Sequence, residues 1–552
     1  MDGAVKRLGW AVFGVSFVLL LTTTDESLFG GVRDGKEMLS AAYALSNQFE
    51  IGVSRQFVNA APGPDGEAYS RYGMGTSIVE AVPMLLSRLL LAAFPSAPTG
   101  PLFALVPILC LALTAAFTAG SLRLLGTSPA VAGGIGLALV FASPLWGYAG
   151  SDYSEPVQVA ALSLSLFAVL TLRTLPAGAS ASRRWEVVAG AAAGFAVLTK
   201  SLNIVPASLL LLPALAQLSA PPEGMKKRKK QEARPRLSVR WGVAISYAIG
   251  LALWAAIDLF RFGKLFGGYP GEDFPYPFLT GLLRLTLFPN KGLLVYAPLL
   301  LLAPIGFVRW ARKDRLTAVA LAGAAASSFA ISASWWAWDG QSGWGPRLVV
   351  PAVPILFLFV GAALVGARRP LVVLAAPLAA AGFLVNLPGA LYPFGGAYLL
   401  AETTDPQPIS ASRAAGTPYE VFQQPDGTLT ATGPHHLSLS PSWWPPRFHA
   451  RLIAEKWKGG DVEGRLVAGA MGDLDPPFLL RPPAKPSAGF EIAVAPRRWP
   501  FWGRSWLWPA PRQIDPYRDA MRDQLVRAVS TGRTARADAL RSALNRPFRP
   551  PS

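Results

Sequence analysis

The chain has 552 residues, of which 52% are hydrophobic and only 15% charged. Soluble proteins carry about 25% charged residues, so this composition excludes an ordinary soluble protein and indicates a polytopic membrane protein. The formal net charge is +18. The basic residues cluster in short loops between apolar runs, as positive-inside topology requires, so no nucleic-acid partner is expected. Cys110 is the single cysteine, which excludes an intrachain disulfide.

The first apolar run, Trp10 to Leu21, follows Lys6 and Arg7 and has no small-residue cleavage pattern behind it. It predicts a retained anchor helix that begins in the cytoplasm. The large loop 25–76 is then expected on the outside, and a loop of this length in a compact fold is usually functional. Its apolar periodicity predicts an amphipathic helix on the membrane surface, built on Met38, Leu39, Ala42, Tyr43, Leu45 and Ser46.

The later apolar runs predict further spans at 102–122, 130–146, 157–172, 241–260, 293–308, 316–334, 348–365 and 371–391. Two short runs, 186–198 and 202–218, are expected to meet at Lys200. The charged run 77–94 is expected to be re-entrant or interfacial, because the topology allows an even number of crossings there. This gives about 11 transmembrane helices, or about nine if the two short runs form a re-entrant hairpin.

The loops complete the predicted organisation. The loop 219–240 is strongly basic and is expected in the cytoplasm, whereas the second large loop 261–291 is expected outside. Residues 1–391 form the transmembrane domain, and 392–552 are expected to be an extracytoplasmic tail with a basic surface helix from Tyr517 to Leu544. The three histidines of the tail, His435, His436 and His449, lack convincing partners for a zinc site. No cofactor is required by the sequence, and a divalent metal stays an open possibility.

Four polar clusters fall on the outside face in this topology. They are Asp34-Gly35, the stretch 69–75, the second loop with Asn290-Lys291-Gly292, and the stretch 335–347. Acidic, basic and aromatic groups on one side of a membrane suit a reaction between a lipid-anchored substrate and a molecule outside. The tryptophans of the fourth cluster, Trp335, Trp336, Trp338 and Trp344, are mostly interpreted as an interfacial aromatic belt.

The order and spacing of five motifs resemble the GT-C glycosyltransferases, the superfamily of polytopic membrane enzymes that includes protein O-mannosyltransferases and aminoarabinose transferases. The resemblance covers most of residues 1–400. The motifs are Asp34-Gly35, Tyr69-Ser70-Arg71-Tyr72-Gly73, Ser154-Glu155-Pro156, Asn290-Lys291-Gly292-Leu293 with Tyr296 and Pro298, and Trp344-Gly345-Pro346-Arg347. The Lys-Pro-Pro element of better-known branches is missing, and Tyr-Ser-Arg-Tyr-Gly stands in its place.

The resemblance implies a GT-C-like fold and transfer of a sugar from a polyprenyl-phosphate donor, with inversion, to a glycan, lipid or protein acceptor. Such a reaction needs a carboxylate base for the acceptor hydroxyl and cations for the departing phosphate. Asp34 is the expected base, since Asp25 and Glu26 lie close enough to the first helix to serve as caps. Arg71, Lys291 and Arg347 are expected at the phosphate, although each could instead extend its charge to the membrane interface.

Two further residues are expected to bind substrate, Tyr72 and Glu155. Glu155 could position the acceptor, or it could simply be an acidic residue favoured by a helix N-terminus. The expected location is a bacterial inner membrane, with the site facing the periplasm or the exterior. A transporter or flippase of a lipid-linked substrate, and a non-catalytic relative in envelope assembly, are the alternatives. A transporter would place its charges at mid-membrane between repeated halves, and no such repeat is evident.

Overall fold

The computed structural model describes residues 3–24, 33–57, 60–95, 97, 99–175, 180–219, 236–269, 274–340, 343–391, 394, 421–423, 429–431, 444–458 and 516–545. Within these ranges the regular structure is mainly α-helical. The exceptions are three small antiparallel sheets, the largest of which joins β1 (Gly52–Val53), β3 (Ala68–Tyr69) and β2 (Ala61–Pro62) in that order. The expected all-α class is confirmed.

The helices follow one another along the chain, with 3-10 turns at Pro144–Gly150, Ser201–Asn203, Pro298–Leu302 and Arg347–Ala352. They are α1 (Gly3–Thr23), α2 (Arg33–Gln48), α3 (Met74–Ala93), α4 (Gly100–Leu124), α5 (Pro129–Phe141), α6 (Glu155–Thr174), α7 (Ser180–Thr199), α8 (Ile204–Leu215), α9 (Trp241–Phe262), α10 (Phe278–Leu287), α11 (Leu293–Tyr296), α12 (Ala303–Ala311), α13 (Arg315–Ser334), α14 (Val353–Leu364), α15 (Arg369–Leu391), α16 (Pro445–Trp457), α17 (Pro516–Ser530) and α18 (Thr534–Asn545).

In the described ranges, 8 helical segments are long and apolar enough to cross a membrane. They are α1, α3, α4, α6, α9, α13, α15 and the segment Arg347–Leu364 that contains α14. A further crossing is available from α5 and the turn Pro144–Gly150, which are bent by 60°. The expectation of a polytopic membrane protein is therefore confirmed, while the count of about 11 spans stays a prediction.

The helices of the structure differ from the expected ones in two apolar runs and agree with the expected break at Lys200. The run 77–94, expected to be re-entrant or interfacial, forms the continuous helix α3, which is long and apolar enough to cross. The run 293–308 is not one helix. It divides into α11, a 3-10 turn and α12, with Pro298 and Pro304 at the starts of the last two, where a missing N–H costs least. The expected break at Lys200 is present, between α7 and the 3-10 turn that precedes α8.

Polar side chains gather at the two ends of α6, which are on opposite faces of the helical bundle. At its start, Glu155 forms ion pairs with residues of other segments on what we call the site face. At its other end, Arg173 contacts Asp314 at 2.8 Å, and Arg240 donates to the carbonyls of Leu172 and Leu175. Arg240 ends the basic loop 219–240, so that loop leaves from the face opposite to Glu155.

The first loop is packed between the membrane helices and the end of the chain. The apolar residues of α2 are buried, and α2 lies against both α3 and α17. Tyr43 contacts the ring of Tyr517 edge to face, with ring centroids 5.3 Å apart. The predicted amphipathic helix is therefore present, and its apolar face is covered by protein. The predicted surface helix from 517 to 544 is two helices, α17 and α18. The first packs on α2, and Arg536 of the second contacts Glu50 at 3.0 Å.

Candidate active site

Four ionisable side chains from four distant segments meet on the site face, and we call them the ionic cluster. Arg347 lies between two carboxylates, with its Nη2 donating to Asp34 Oδ2 at 2.6 Å and its Nε donating to Glu155 Oε1 at 2.9 Å. The Lys200 ammonium is 3.6 Å from the same Glu155 oxygen. The cluster balances two negative charges with two positive ones, which is the condition under which charged groups tolerate burial.

The four residues differ in how accessible they are. Glu155 has a fully buried side chain, whereas the side chains of Asp34 and Lys200 are each 17% exposed and that of Arg347 is 11% exposed. The guanidinium of Arg347 also lies 3.6 Å from the ring centre of Tyr153, a cation–π contact that fixes its plane. Glu155 is thus the inner anchor of the cluster, and Asp34 is its more accessible carboxylate.

Glycines allow the segments of the cluster to approach one another. A Cβ on Gly35 would lie 1.9 Å from the carboxyl carbon of Asp152, so only glycine lets the start of α2 sit this close to the segment before α6. At the start of α3, a Cβ on Gly75 would lie 2.2 Å from the Thr199 hydroxyl at the end of α7. The Gly-Met-Gly sequence after Tyr72 therefore brings Tyr72 beside the break that carries Lys200.

Tyr72 completes the coordination of Asp34. Its hydroxyl donates to Asp34 Oδ1 at 2.7 Å, and burial raises the pKa of Tyr72, so the hydroxyl keeps its proton at neutral pH. Burial by itself also raises the pKa of Asp34, but the charge of Arg347 and the hydrogen bonds from Tyr72 and Arg347 more than offset it. The net result is a lowered pKa for Asp34, which keeps this carboxylate ionised.

A second carboxyl follows Asp34 by one helical turn. Glu37 is buried, accepts a hydrogen bond from the Ser70 hydroxyl at 3.2 Å, and lies near the negative charge of Asp34. Burial, with a further contribution from Asp34, raises the pKa of Glu37 to about 8. Two neighbouring carboxyls on α2 therefore differ in protonation at neutral pH, with Asp34 ionised and Glu37 protonated.

A cleft that is partly open to solvent lies beside the ionic cluster. Four cationic side chains line it, together with the aromatic rings of Tyr72, Trp254, Phe266 and Tyr269. The cations are Arg71, Lys200, Arg261 and Arg347. Asp258 is the one acidic residue among those lining it. The cleft is therefore suited to a molecule that carries both negative charge and apolar surface.

Two of the lining arginines are fixed by their own contacts. Arg261 donates to Asp258 at 2.9 Å and to the carbonyls of Ser70 and Tyr72 at 3.0 and 2.8 Å, so it ties the end of α9 to the segment before α3. Arg71 lies over the ring of Tyr269, 4.7 Å from its centre. Arg261 is therefore mainly a brace for the wall of the cleft, and Arg71 and Tyr269 form a flat surface within it.

Lys291 lies away from the cleft. Its side chain is fully buried, and its ammonium donates to the carbonyl of Gly343 at 2.9 Å. Burial lowers the pKa of Lys291 to about 8, while the neighbouring carboxylate of Asp339 acts in the opposite direction. Because Gly343 lies four residues before Arg347, these contacts hold the segment that presents Arg347, and the expected contact of Lys291 with a phosphate stays a prediction.

The tryptophans of the fourth cluster divide into two groups. Trp338 and Trp344 are buried within the protein, so the aromatic-belt interpretation is wrong for these two. Trp344 donates to Asn386 at 2.9 Å, and its carbonyl accepts from Tyr148 at the same distance. His449 of α16 also contacts the Trp344 ring. Trp344 therefore anchors the segment of Arg347 to three other parts of the chain.

The structure brings together most of the residues singled out in the sequence. Asp34, Tyr72, Glu155 and Arg347 are in direct contact through the hydrogen bonds above, and Arg71 lines the adjoining cleft. Sequence reasoning did not assign Lys200 to the site. The available signal was a lysine at a break between two short apolar runs, since a charge at membrane depth usually marks a functional position.

Some residues named in the sequence lie outside the part of the chain that the structure describes, and some neighbours of Asp34 were not named as site residues. Asp25 and Glu26 lie outside the described residues, as do His435 and His436. Within the described ranges, no three His, Cys, Asp or Glu side chains are grouped so that they could hold a metal ion. The protonated Glu37 and the buried Asp152 were not foreseen as neighbours of Asp34, because their proximity depends on tertiary packing.

No protein-family model and no curated protein matches the chain. Among solved structures, the chain is similar to ArnT from Cupriavidus metallidurans in the apo state. The identity is 17% over 84% of this chain and 74% of that chain, with a TM-score of 0.43. The structure of ArnT bound to undecaprenyl phosphate gives 17% identity over 86% and 75% of the two chains, with a TM-score of 0.42.

The chain is also similar to the oligosaccharyltransferase AglB from Archaeoglobus fulgidus, in complex with an inhibitory peptide and a dolichol-phosphate. The identity is 11% over 77% of this chain and 62% of that chain, with a TM-score of 0.42. ArnT and AglB are GT-C glycosyltransferases, the superfamily that the sequence motifs resemble. TM-scores of 0.42 and 0.43 are too low to assign a residue, a donor or an acceptor to this chain.

Proposed function

We propose that this protein is a membrane glycosyltransferase that takes a sugar from a polyprenyl-phosphate donor and transfers it to an acceptor hydroxyl on the extracytoplasmic face. The single observation that carries the proposal is the ionic cluster beside a cationic and aromatic cleft. The donor class also rests on the resemblance of the sequence motifs. The face follows from the basic loop 219–240, which leaves the opposite side of the bundle and is expected in the cytoplasm.

The proposed reaction is a single displacement. Asp34 takes the proton of the acceptor hydroxyl, and the acceptor oxygen forms a bond to the anomeric carbon of the sugar. The bond between that carbon and the phosphate oxygen breaks, and the polyprenyl phosphate leaves with the electron pair. Attack from the side opposite to the leaving group inverts the configuration at the anomeric carbon. Arg347 and Lys200 stabilise the charge that develops on the departing phosphate.

The other residues support these two functions. Glu155 holds Arg347 and Lys200 in place, and Tyr72 orients the Asp34 carboxylate. Arg71 and Tyr269 provide a surface for the part of the donor nearest the phosphate. Lys291 acts at a distance by fixing the segment of Arg347. The bilayer supplies the polyprenyl chain, and the acceptor is a glycan, a lipid or a protein.

Cells provide the test, because neither the sugar nor the acceptor needs to be known beforehand. Lipid extracts and envelope glycans are profiled by mass spectrometry in cells that carry the gene, in cells that lack it, and in deletion cells that express the Asp34→Asn variant. We expect one glycan to be lost and one polyprenyl-phosphate sugar to accumulate in both of the latter. Identical profiles in all three strains, with the protein present in the membrane, would contradict the proposed function.

A further inference from the structure

Both carboxylate oxygens of the expected catalytic base accept hydrogen bonds from groups of the protein itself. Asp34 Oδ1 accepts from Tyr72, and Asp34 Oδ2 accepts from Arg347 at 2.6 Å. A carboxylate that is paired with a guanidinium and hydrogen-bonded at both oxygens is a weaker base toward an acceptor hydroxyl, because these contacts stabilise its ionised form. The same contact occupies Arg347, which lines the cleft proposed for the donor phosphate. The ion pair between Asp34 and Arg347 therefore lowers the basicity of Asp34 and also occupies a donor of Arg347 that could bind the phosphate.

We propose, resting on the function proposed above, that the Asp34–Arg347 ion pair is a latch that the donor phosphate opens. The phosphate of the donor takes the place of the Asp34 carboxylate on the guanidinium of Arg347, and Asp34 is then free to act as base. The order of events is thus built into the cluster, since the donor must occupy the cleft before an acceptor hydroxyl can lose its proton to Asp34.

Charge and accessibility both support the exchange of one anion for another. A sugar linked to a polyprenyl phosphate is a phosphodiester with one negative charge, so one singly charged anion replaces another on the guanidinium of Arg347. Glu155 is fully buried and keeps its contacts to Arg347 and Lys200 throughout. Arg347 therefore stays in place, and only the more accessible carboxylate has to give way.

The exchange also makes Asp34 a better base. The positive charge of Arg347 and its hydrogen bond hold the pKa of Asp34 down. Once the guanidinium is shared with a phosphate anion, that pKa rises toward the range in which a carboxylate accepts protons efficiently. The hydroxyl of Tyr72 continues to orient the carboxylate.

A structural ion pair would behave in the opposite way when one partner is removed. If Asp34 serves only to hold Arg347 in position, its loss should weaken anion binding. If Asp34 competes with the donor phosphate, its loss should strengthen anion binding although turnover is lost. The coupling free energy between two binding events typically changes an affinity by five- to 150-fold. A positioning role and a competing role for Asp34 therefore predict affinity changes of opposite sign and of measurable size.

The probe is undecaprenyl phosphate, titrated into the purified full-length protein in lipid nanodiscs at constant ionic strength. The dissociation constants of the wild type and of Asp34→Asn are compared with that of Asp65→Asn. Asp65 is an exposed residue of the same loop that accepts from Tyr69, so its variant removes the same charge without touching the ionic cluster. We expect Asp34→Asn to bind about tenfold more tightly than the wild type, and Asp65→Asn to bind as the wild type does.

A double variant identifies the residue responsible. Asp34→Asn combined with Arg347→Ala should bind no more tightly than Arg347→Ala alone, because the gain requires the released guanidinium. The latch is refuted if the wild type binds the lipid and folded Asp34→Asn binds it equally or more weakly. It is refuted also if the gain persists without Arg347. A wild type that does not bind undecaprenyl phosphate at all contradicts the proposed function itself, which separates the two failures.

Discussion

Arg347 is the residue with the most contacts in the ionic cluster, since it bonds Asp34 and Glu155 and lies over the ring of Tyr153. Arginine suits this position because its planar guanidinium offers several donors in fixed directions, whereas a lysine is a point charge. The positive charge is thus shared between two carboxylates and the cleft. Replacing Arg347 by lysine keeps the positive charge but removes the planar guanidinium, so this variant distinguishes the effect of geometry from the effect of charge.

We expect Arg347→Lys to raise the KM for the donor by about tenfold, because one charge-assisted contact to the phosphate is lost while a positive charge is kept. The turnover number should fall as well, since Arg347 also stabilises the charge that develops on the departing phosphate. Steady-state kinetics with purified enzyme give both values. Arg312→Lys, which alters an exposed residue, is the matched control and should leave both unchanged. An unchanged KM in Arg347→Lys would show that this residue does not meet the donor.

Glu37 gives a prediction about pH. Its raised pKa, about 8, means that the folded state holds a proton that the unfolded state releases near pH ~4.3. The stability that this protonated carboxyl contributes is complete below the lower value and is lost as pH rises through the higher one. Between about pH 5 and pH 8, the melting temperature of Glu37→Gln should therefore fall less steeply than that of the wild type.

Asp65→Asn is the comparison for that experiment, because the pKa of the exposed Asp65 is lowered and its carboxyl does not titrate in this range. Its melting curve should follow that of the wild type. Parallel pH slopes for Glu37→Gln and the wild type would contradict the assigned protonation state.

For individual residues, the sequence motifs predicted which side chains belong to the candidate site better than they predicted the contacts those side chains make. Asp34, Tyr72, Glu155 and Arg347 were all found by motif, and they do meet. Lys291 was found in the same way, yet it bonds Gly343 inside the protein. A motif indicates that a residue matters, but only the packing decides whether it faces a ligand or supports a neighbour that does.

Among the elements, α2 has the most demanding position, because it carries Asp34 and is held from two sides. The tail helix α17 contributes a buried carboxyl, Asp523, which accepts from the Ser40 hydroxyl, and Gln524, which donates to the Gly52 carbonyl at 3.1 Å. Arg527 bonds Glu50 at 2.8 Å and Glu67 at 3.2 Å. The end of the chain is thus part of the support of the candidate site.

Removing Arg527 should weaken this support. Its side chain is only 6% exposed, but Glu50 is 32% exposed and also pairs with Arg533 and Arg536, so the loss of Arg527 should destabilise by about 1.5 kcal/mol. We expect Arg527→Ala to lower the melting temperature and to reduce turnover, since the loop that follows α2 loses one of its ties to the tail. Arg541→Ala removes an exposed pair with Asp538 within one helix and should change stability by less than about 0.5 kcal/mol. Equal effects of the two variants would contradict the supporting role of the tail.

The helices themselves were largely predictable, whereas the docking of the tail was not. Apolar periodicity and length place most of the helices within a few residues, and the break at Lys200 was visible as an interruption between two apolar runs. The contact between Arg527 and Glu67 joins residues 460 positions apart. The periodicity of apolar residues cannot predict a contact between positions so far apart. The helix expected from Tyr517 to Leu544 was recognised only from its own residues.

For the whole molecule, the division into two polar faces is the feature that the proposed function requires. One face carries the ionic cluster and the docked tail, and the other carries Arg173, Asp314 and Arg240. Composition was sufficient to predict a polytopic membrane protein. It was not sufficient to count the spans, because helices broken by proline and short apolar helices can be read either as crossings or as partial crossings.

Reporter fusions test the orientation of these faces. A fusion at Gly224, in the basic loop, should report from the cytoplasm, and a fusion at Pro408, in the tail, should report from the outside. Both positions lie outside the described residues, so the expectation comes from the charge of the loops. A tail fusion that reports from the cytoplasm would move the candidate site to the wrong side of the membrane for the proposed reaction.

The most direct test of the account is turnover by the purified protein. The substrate is the polyprenyl-phosphate sugar that accumulates in deletion cells, and the measurement is the release of polyprenyl phosphate with an extract of acceptor glycans. Loss of a general base typically costs 10²- to 10⁴-fold in rate, so Asp34→Asn should be slower by that factor, while Asp65→Asn keeps wild-type turnover. Wild-type turnover by folded Asp34→Asn would contradict the account, because the ionic cluster would then not contain the base.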